Sequence, residues 1–127
     1  MDVLIESTQD FEKDLKSLSD PERNIAIQKI NDCAALFPEH QSNGYRKLRR
    51  ICLPSGLSGY ESSVFTLRVS QKLRVILAVD EDPIFDQFIF TLFRVVKRDE
   101  IEQVYRGIAE SLYQEIRHHD RELATIS

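Results

Sequence analysis

Apolar residues recur at helical spacing along the N-terminal third of the chain. Residues 3–5 form a short apolar run typical of a strand, and Ser7 or Thr8 then offers a capping side chain for a first helix. A second helix is predicted to begin at Asp20 and Pro21, where a capping side chain precedes a proline at the first helical position. Only the short turn around Ser19 to Pro21 joins the two predicted helices, so the sequence predicts a helical hairpin.

The pattern then passes through a loop-like stretch at residues 38–45 and later changes its period to two. Three β-rich runs follow, at residues 64–69, 73–79 and 88–96. In the first run, alternation places Phe65 and Leu67 on one face of the sheet and Thr66 and Arg68 on the other. The connections between the runs are short enough for hairpin turns, so the strands must be antiparallel neighbours.

The last segment returns to helical spacing. An apolar stripe from Ile101 to Ile116 predicts a C-terminal helix, although Gly107 weakens it by about 1 kcal/mol relative to alanine. Residues 118–127 lose the stripe and are expected to be frayed. With no linker or repeat in residues 1–127, the chain predicts one α+β domain. An N-terminal strand, a helical hairpin and a C-terminal helix would pack against one face of a small antiparallel sheet.

Composition narrows the chemistry that this domain can perform. Cys33 and Cys52 are too few for a disulfide framework and fit a reduced, cytoplasmic protein, with Cys33 in the core. His40, His118 and His119 stand outside any ligand motif, so we expect no metal and no cofactor. The acidic N-terminus lacks the basic region of a signal peptide. The longest apolar run has nine residues, whereas a membrane span needs about 20, so we expect no membrane partner.

Charge is distributed unevenly along the chain. The 127 residues carry 17 Lys and Arg against 21 Asp and Glu, a net charge of −4. Residues 44–79 nevertheless hold seven basic groups and one acidic group, Glu61, whereas residues 1–43 and 80–127 each carry a net charge of −5. The segment around the first hairpin is therefore cationic, which the global sum hides.

Basic residues of the predicted sheet can converge on one concave face. They are Arg68, Lys72, Arg74, Arg94, Lys97 and Arg98. Guanidinium groups at this spacing suit phosphate contacts, because each offers a planar fork of donors. The alternative is a set of ordinary solvated charges that pair with nearby acids.

Several short motifs follow one another along the chain from Lys47 onward. They are Lys47-Leu48-Arg49, Phe65-Thr-Leu-Arg-Val69, Leu73-Arg-Val-Ile-Leu77 and Leu92-Phe-Arg-Val-Val-Lys-Arg-Asp-Glu100 leading to Val104-Tyr105. Their order resembles that of the RelE/ParE superfamily of toxins from bacterial toxin–antitoxin modules. The N-terminal strand and helical hairpin stand where that family has them, so the resemblance covers nearly the whole chain.

The resemblance implies a RelE-like, metal-independent endoribonuclease that cuts mRNA in the ribosomal A site and is neutralised by a cognate antitoxin. A ribose 2′-OH would attack the neighbouring phosphate. By resemblance, Arg74 would stabilise the transition-state charge, Arg98 would clamp the phosphate or assist a proton donor, and Tyr105 would act as a general base or stack on a base. Further phosphate contacts are expected from Arg46, Lys47, Arg49, Arg50, Arg68, Lys72 and Lys97.

The residues leave alternatives open. Tyr105 lies on the apolar stripe of the last helix, which also fits a core position with the hydroxyl at the rim. Val64 and Thr66 stand where some relatives carry lysines, and this chain is acidic whereas ribosome-cutting members are strongly basic. A ParE-like toxin that binds DNA gyrase without catalysis and a catalytically degenerate protein of the same fold therefore remain alternatives.

Overall fold

The elements follow one another in the predicted order, in a computed structural model that describes residues 2–51 and 64–111. The strands in these residues are β1 (Asp2–Ser7), β2 (Leu48–Arg50), β3 (Val64–Arg68), β4 (Leu73–Asp82) and β5 (Gln87–Lys97). The helices are α1 (Gln9–Ser17), α2 (Asp20–Leu36), α3 (Gln41–Arg46) and, after a 3₁₀ turn (Arg98–Glu100), α4, which is helical over residues 101–111. The predictions for Cys52, His118, His119 and the frayed end lie outside the described residues.

The first two helices begin with capping side chains. Thr8, one of the two predicted caps, accepts a hydrogen bond on its hydroxyl from the Phe11 N–H at 3.1 Å. Helix α2 is capped by Ser19, which forms a reciprocal capping box with Glu22. The prediction of Asp20 as the cap is therefore wrong by one residue. Asp20 instead occupies the first turn, where its carboxylate lies near the positive end of the helix dipole.

Helix α3 lies in a stretch that the sequence predicts to be a loop. Its six residues are too few for a helical period to show, and they include Asn43 and Gly44, which favour turns. Packing fixes the helix instead, because Gly44 approaches the buried ring of Phe37 so closely that a Cβ atom would lie 2.5 Å from its Cε2. The loop prediction is wrong because a tertiary contact outweighs local preference here.

The strands form one sheet in the order β1-β5-β4-β3-β2 across the described residues. β2 to β5 are antiparallel neighbours as predicted, whereas β1 pairs in parallel with β5, which makes the sheet mixed. Strand β4 continues to Asp82, beyond the predicted end at residue 79, because its acidic end pairs with β5 as far as Gln87. The connecting turn falls at residues 83–86, where Asp86 has a φ of 51°.

The two faces of the sheet carry separate cores. The face under α1 and α2 carries the larger one, whose fully buried members include Phe37, Val75, Leu77, Phe88 and Phe90. Cys33 lies in this core as predicted, and burial raises the pKa of its thiol to about 11. The opposite face carries a smaller cluster that includes Val64, Ile76, Val96, Tyr105 and Ala109.

Helix α4 therefore covers the face opposite the helical hairpin, and the prediction that all helices lie against one face is wrong. Strand β3 shows the reason, because its residues from Val64 to Leu67 are buried on both sides of the sheet. Thr66, which shares the face of Arg68, is buried, and its hydroxyl donates to the Arg49 carbonyl at 3.4 Å. Within the described residues, no helix is long and apolar enough to cross a membrane.

Candidate anion-binding cleft

A cationic cleft of about 560 Å³ opens beside the small cluster, at the end of the sheet where β4 begins. Its basic lining residues are Arg46, Lys47, Arg49, Arg68, Arg74 and Arg98. Leu48, Thr66 and Ile101 complete the lining within the described residues. The cleft thus joins the end of α3, strands β2 to β4 and the turn after β5.

The register of the sheet brings these cations together. Arg68 lies directly opposite Arg74 in the β3–β4 pair, and Arg49 lies opposite Thr66 in the next pair. Arg98 reaches the same place because its backbone N–H donates to the Lys72 carbonyl at 2.7 Å, which ties the turn after β5 to the β3–β4 turn. Arg74 points away from its strand neighbours Leu73 and Val75, which lie in the larger core on the other face.

Arg74 is fixed by backbone oxygens. Its Nη1 donates to the carbonyls of Ser70 at 2.5 Å and Leu73 at 3.0 Å. Burial lowers the pKa of the Arg74 guanidinium, and the charges of Arg68, Arg98 and Arg49 lower it further. Three neighbouring cations thus disfavour the charge on Arg74, and an anion bound between them would relieve that repulsion.

The cleft residues lack acidic partners in the part of the chain that the structure describes. The ion pairs there join Arg23 to Asp20, Arg94 to Asp14 and Arg106 to Glu102, and none includes a cation of the cleft. Among the described residues, Arg49, Arg68, Arg74 and Arg98 therefore form no ion pair with a nearby acid. The interpretation of ordinary charges paired with nearby acids does hold for Arg94.

Arg94 turns away from the cationic cleft, contrary to the prediction that it joins the same basic face. Its guanidinium donates hydrogen bonds to the Asp14 carboxylate from Nε at 2.6 Å and from Nη2 at 3.1 Å. The Val95 N–H donates to the same carboxylate at 2.9 Å. The hydrogen bond to Asp14 raises the pKa of Arg94. This group therefore fastens α1 to β5 and is already neutralised.

Three other predicted contact residues lie near the cleft but outside its lining. Arg50 follows Arg49 on β2 and so points to the opposite face, where its guanidinium carbon lies 5.7 Å from the centre of the Phe65 ring. Lys72 and Lys97 line an adjoining groove that shares Arg98 with the cleft. They extend the positive surface beyond the arginine cluster.

Tyr105 lies in the core cluster under α4, with 6% of its surface exposed. Its neighbour on the same helix, Ile101, lines the cleft in its place. The described lining holds no His, Asp, Glu or Tyr side chain, and hence no group that titrates near neutral pH. Among the described residues, no group of three or more His, Cys, Asp and Glu side chains could hold a metal ion.

Sequence reasoning did not place Thr66 or Ile101 in the cleft. The signal for Thr66 was present, because it shares the face of Arg68 in an alternating strand. Ile101 could not be recognised, since the start of an apolar helical stripe gives no sign that one residue lies beside a polar site.

Fold and site together define a small α+β protein with an arginine-lined cleft. No protein-family model and no curated protein matches the chain. Among solved structures, it is similar to the RelBE2 toxin–antitoxin complex from Mycobacterium tuberculosis, with 13% identity, a TM-score of 0.50 and coverage of 77% of this chain and 100% of that chain. At this identity the likeness shows the shared fold.

Two archaeal complexes are also similar. The RelE–RelB complex from Pyrococcus horikoshii OT3 has 18% identity and a TM-score of 0.49, covering 77% of this chain and 97% of that chain. The RelB–RelE antitoxin–toxin complex from Methanococcus jannaschii has 24% identity and a TM-score of 0.46, covering 79% and 98%. The predicted RelE-like α+β architecture is confirmed by the first of the three likenesses.

Proposed function

We propose that the protein is a cytoplasmic toxin that cleaves mRNA on the ribosome without a metal ion and is held inactive by a cognate antitoxin. The convergence of Arg49, Arg68, Arg74 and Arg98 in one cleft, with no ion-paired acid among the described residues, carries this proposal. Its size and charge suit a phosphodiester backbone, because guanidinium groups bind two phosphate oxygens at once. The fold shared with a toxin–antitoxin complex supports the same assignment.

In this proposal the arginines act on the charge that develops during cleavage. The ribose 2′-OH passes its proton to water as it attacks the adjacent phosphorus, and the bond to the 5′-oxygen breaks as that oxygen takes up a proton, which leaves a 2′,3′-cyclic phosphate and a 5′-OH. The phosphate gains negative charge in between. Arg74 is held by turn carbonyls and can meet that charge without rearranging. Arg98 approaches from the turn after β5 and would clamp the second oxygen or assist protonation of the leaving group.

An antitoxin is the partner that the positive surface favours. The cleft and the adjoining groove together present Arg98, Lys72 and Lys97 beside the arginine cluster. An acidic segment, disordered when free, would fold across this surface and exclude RNA. The structures with which the chain shares its fold are themselves complexes of a toxin and an antitoxin.

A catalytically degenerate protein of the same fold is the second candidate. The described cleft lining contains no His, Asp, Glu or Tyr side chain that could act as the general base, and Tyr105 is buried in the neighbouring cluster. Such a cleft binds phosphate through its arginines but moves no proton. This candidate predicts RNA binding without cleavage.

The test is a cell-free translation reaction with the purified protein, in which mRNA ends are mapped by primer extension. We expect ribosome-dependent cuts within codons and a loss of about 100-fold or more in cleavage for Arg74→Ala, the effect of removing one charge-stabilising donor. Arg49→Ala and Arg50→Ala form a matched pair on one strand. We expect the first to weaken cleavage and the second to leave it unchanged, because Arg50 lies on the other face.

Each outcome separates the candidates. Intact mRNA with retained RNA binding supports the degenerate fold, and inhibited supercoiling without RNA cleavage supports a gyrase-binding toxin. Full cleavage by a folded Arg74→Ala variant would contradict the proposed site. Circular dichroism of each variant checks that it is folded.

A further inference from the structure

The turn between β4 and β5 presents two large apolar side chains to solvent. Ile84 is 83% exposed and Phe85 is 73% exposed, far more than any other large apolar residue in the described part of the chain. Exposed pairs of this kind mark a contact surface when they project together from a fixed backbone. We refer to residues 82–86 as the tip.

The tip is held in one conformation. The Asp82 carboxylate accepts hydrogen bonds from the Ile84 N–H at 3.1 Å and the Phe85 N–H at 3.4 Å, and its other oxygen accepts from Gln87 Nε2 at 3.1 Å. On the far side of the turn, the Asp2 N–H donates to the Asp86 carbonyl at 3.2 Å. Ile84 and Phe85 are therefore displayed with little conformational entropy left to lose on binding.

The charge around the tip selects its partner. Residues 80–86 hold four acids, and no Lys or Arg occurs between residues 75 and 93. An acidic tip is repelled by nucleic acid and by anionic lipid surfaces. It suits a cationic recess that also offers apolar contact.

The protein itself contains such a recess. The arginine cleft combines cations, which form no ion pair within residues 2–51 and 64–111, with two apolar residues, Leu48 and Ile101. A Phe ring can also lie over a guanidinium group there. The tip cannot reach the cleft of its own chain, because Arg74 and Asp82 stand eight positions apart on β4, about 26 Å along an extended strand.

We propose that the tip of one copy docks in the arginine cleft of a second copy, so that the protein associates head to tail. The contact is heterologous and leaves a free tip at one end and a free cleft at the other, so it extends beyond a dimer. A docked tip places carboxylates where the cleft would hold phosphates, so that copies in an assembly are closed to polyanions. The association itself does not require the proposed RNA cleavage.

Sedimentation equilibrium of the purified chain tests this, over concentrations from about 10 µM to about 1 mM, where weak contacts are populated. We expect the average mass to rise with concentration past that of a dimer and to fall when salt is raised to about 1 M, which shortens the screening length to about 3 Å. The tip variant Ile84→Ser/Phe85→Ser and the cleft variant Arg49→Glu/Arg68→Glu should each remain monomeric.

Mixing the two variants gives the decisive result. The tip variant keeps an intact cleft and the cleft variant keeps an intact tip, so an equimolar mixture should form heterodimers and nothing larger. The matched control is Ile25→Ser/Ile27→Ser, which removes two residues of α2 that are 43% and 41% exposed and should associate as the wild type does. Thermal unfolding verifies that every variant is folded.

The results that overturn the proposal are equally definite. A wild-type chain that stays monomeric, a mixture that stays monomeric, or a control that loses association as fully as the tip variant each contradicts it. RNA cleavage by the tip variant at low concentration should equal that of the wild type. Loss of cleavage in both proteins with association intact would contradict the proposed function and leave the docking in place.

Discussion

The two faces of the sheet differ in the polarity and charge of their side chains. Under α1 and α2 the face carries the larger apolar core, and its aromatic rings pack around Phe37. The face under α4 is apolar along part of its length and then becomes cationic, with Arg68 set directly opposite Arg74. Like charges in that position oppose folding. The first face carries stability, and the second gives up some stability to its pair of like charges.

The largest effect should come from the apolar face. Phe37 is 1% exposed and meets Phe88 and Phe90 edge to face, with ring centres 5.1 and 5.0 Å away. We expect Phe37→Ala to lower the free energy of unfolding by about 3–5 kcal/mol, measured by urea denaturation, because it opens a cavity in a packed core. A loss below about 1 kcal/mol is the size expected for an ordinary surface substitution. Such a result would contradict the view that the apolar face supplies most of the stability.

The next largest effect is expected at Arg94, which lies outside the cationic cleft. Arg94→Ala should lower the free energy of unfolding by about 1–3 kcal/mol, because it leaves the Asp14 carboxylate, whose side chain is 18% exposed, without its main partner. Adding Asp14→Asn should recover part of that loss in a double-mutant cycle. Binding of heparin, a polyanion probe, should be unchanged in Arg94→Ala. Reduced heparin binding would place Arg94 in the anion site after all.

A smaller effect, of opposite sign, is expected in α4. A Cβ atom at Gly107 would meet nothing within 4 Å. Gly107→Ala should therefore raise the free energy of unfolding by up to about 1 kcal/mol through helix propensity alone. A fall in stability would mean that the open space beside α4 is filled in solution, and thermal unfolding decides between the two.

The smallest effect tests whether the arginine pair costs stability. Arg68→Gln removes one of two opposed charges and keeps an unbranched polar side chain, so it should stabilise the fold by about 0.2–1 kcal/mol. Heparin binding should weaken at the same time. A variant that loses both stability and binding would show that the pair contributes to folding instead.

The sequence predicts the elements well where local signals act and less well where distant contacts decide. Caps and the period of apolar residues are enough to place α1, α2 and the three long strands. Helix α3 could not be foreseen, because it depends on the fit between Gly44 and Phe37.

The candidate site shows the same division. Arg74 and Arg98 were placed correctly in the cleft by their strand and turn positions. Arg94 was not, because its partner Asp14 lies 80 positions away in the chain and no local pattern reveals the pair. Which cations are free to bind an anion is therefore a property of the folded chain.

The parallel pairing of β1 with β5 affects how the protein folds during its synthesis. Ser7 meets Leu92, 85 positions later in the chain, so the sheet has high contact order and closes late. At synthesis rates of about 5–20 residues per second, the first strand waits about 4–17 s for its neighbour to be made. Arg98 follows β5, so the cleft is completed only after that wait. A newly made chain therefore passes several seconds as an incompletely folded nascent protein before the cleft can form.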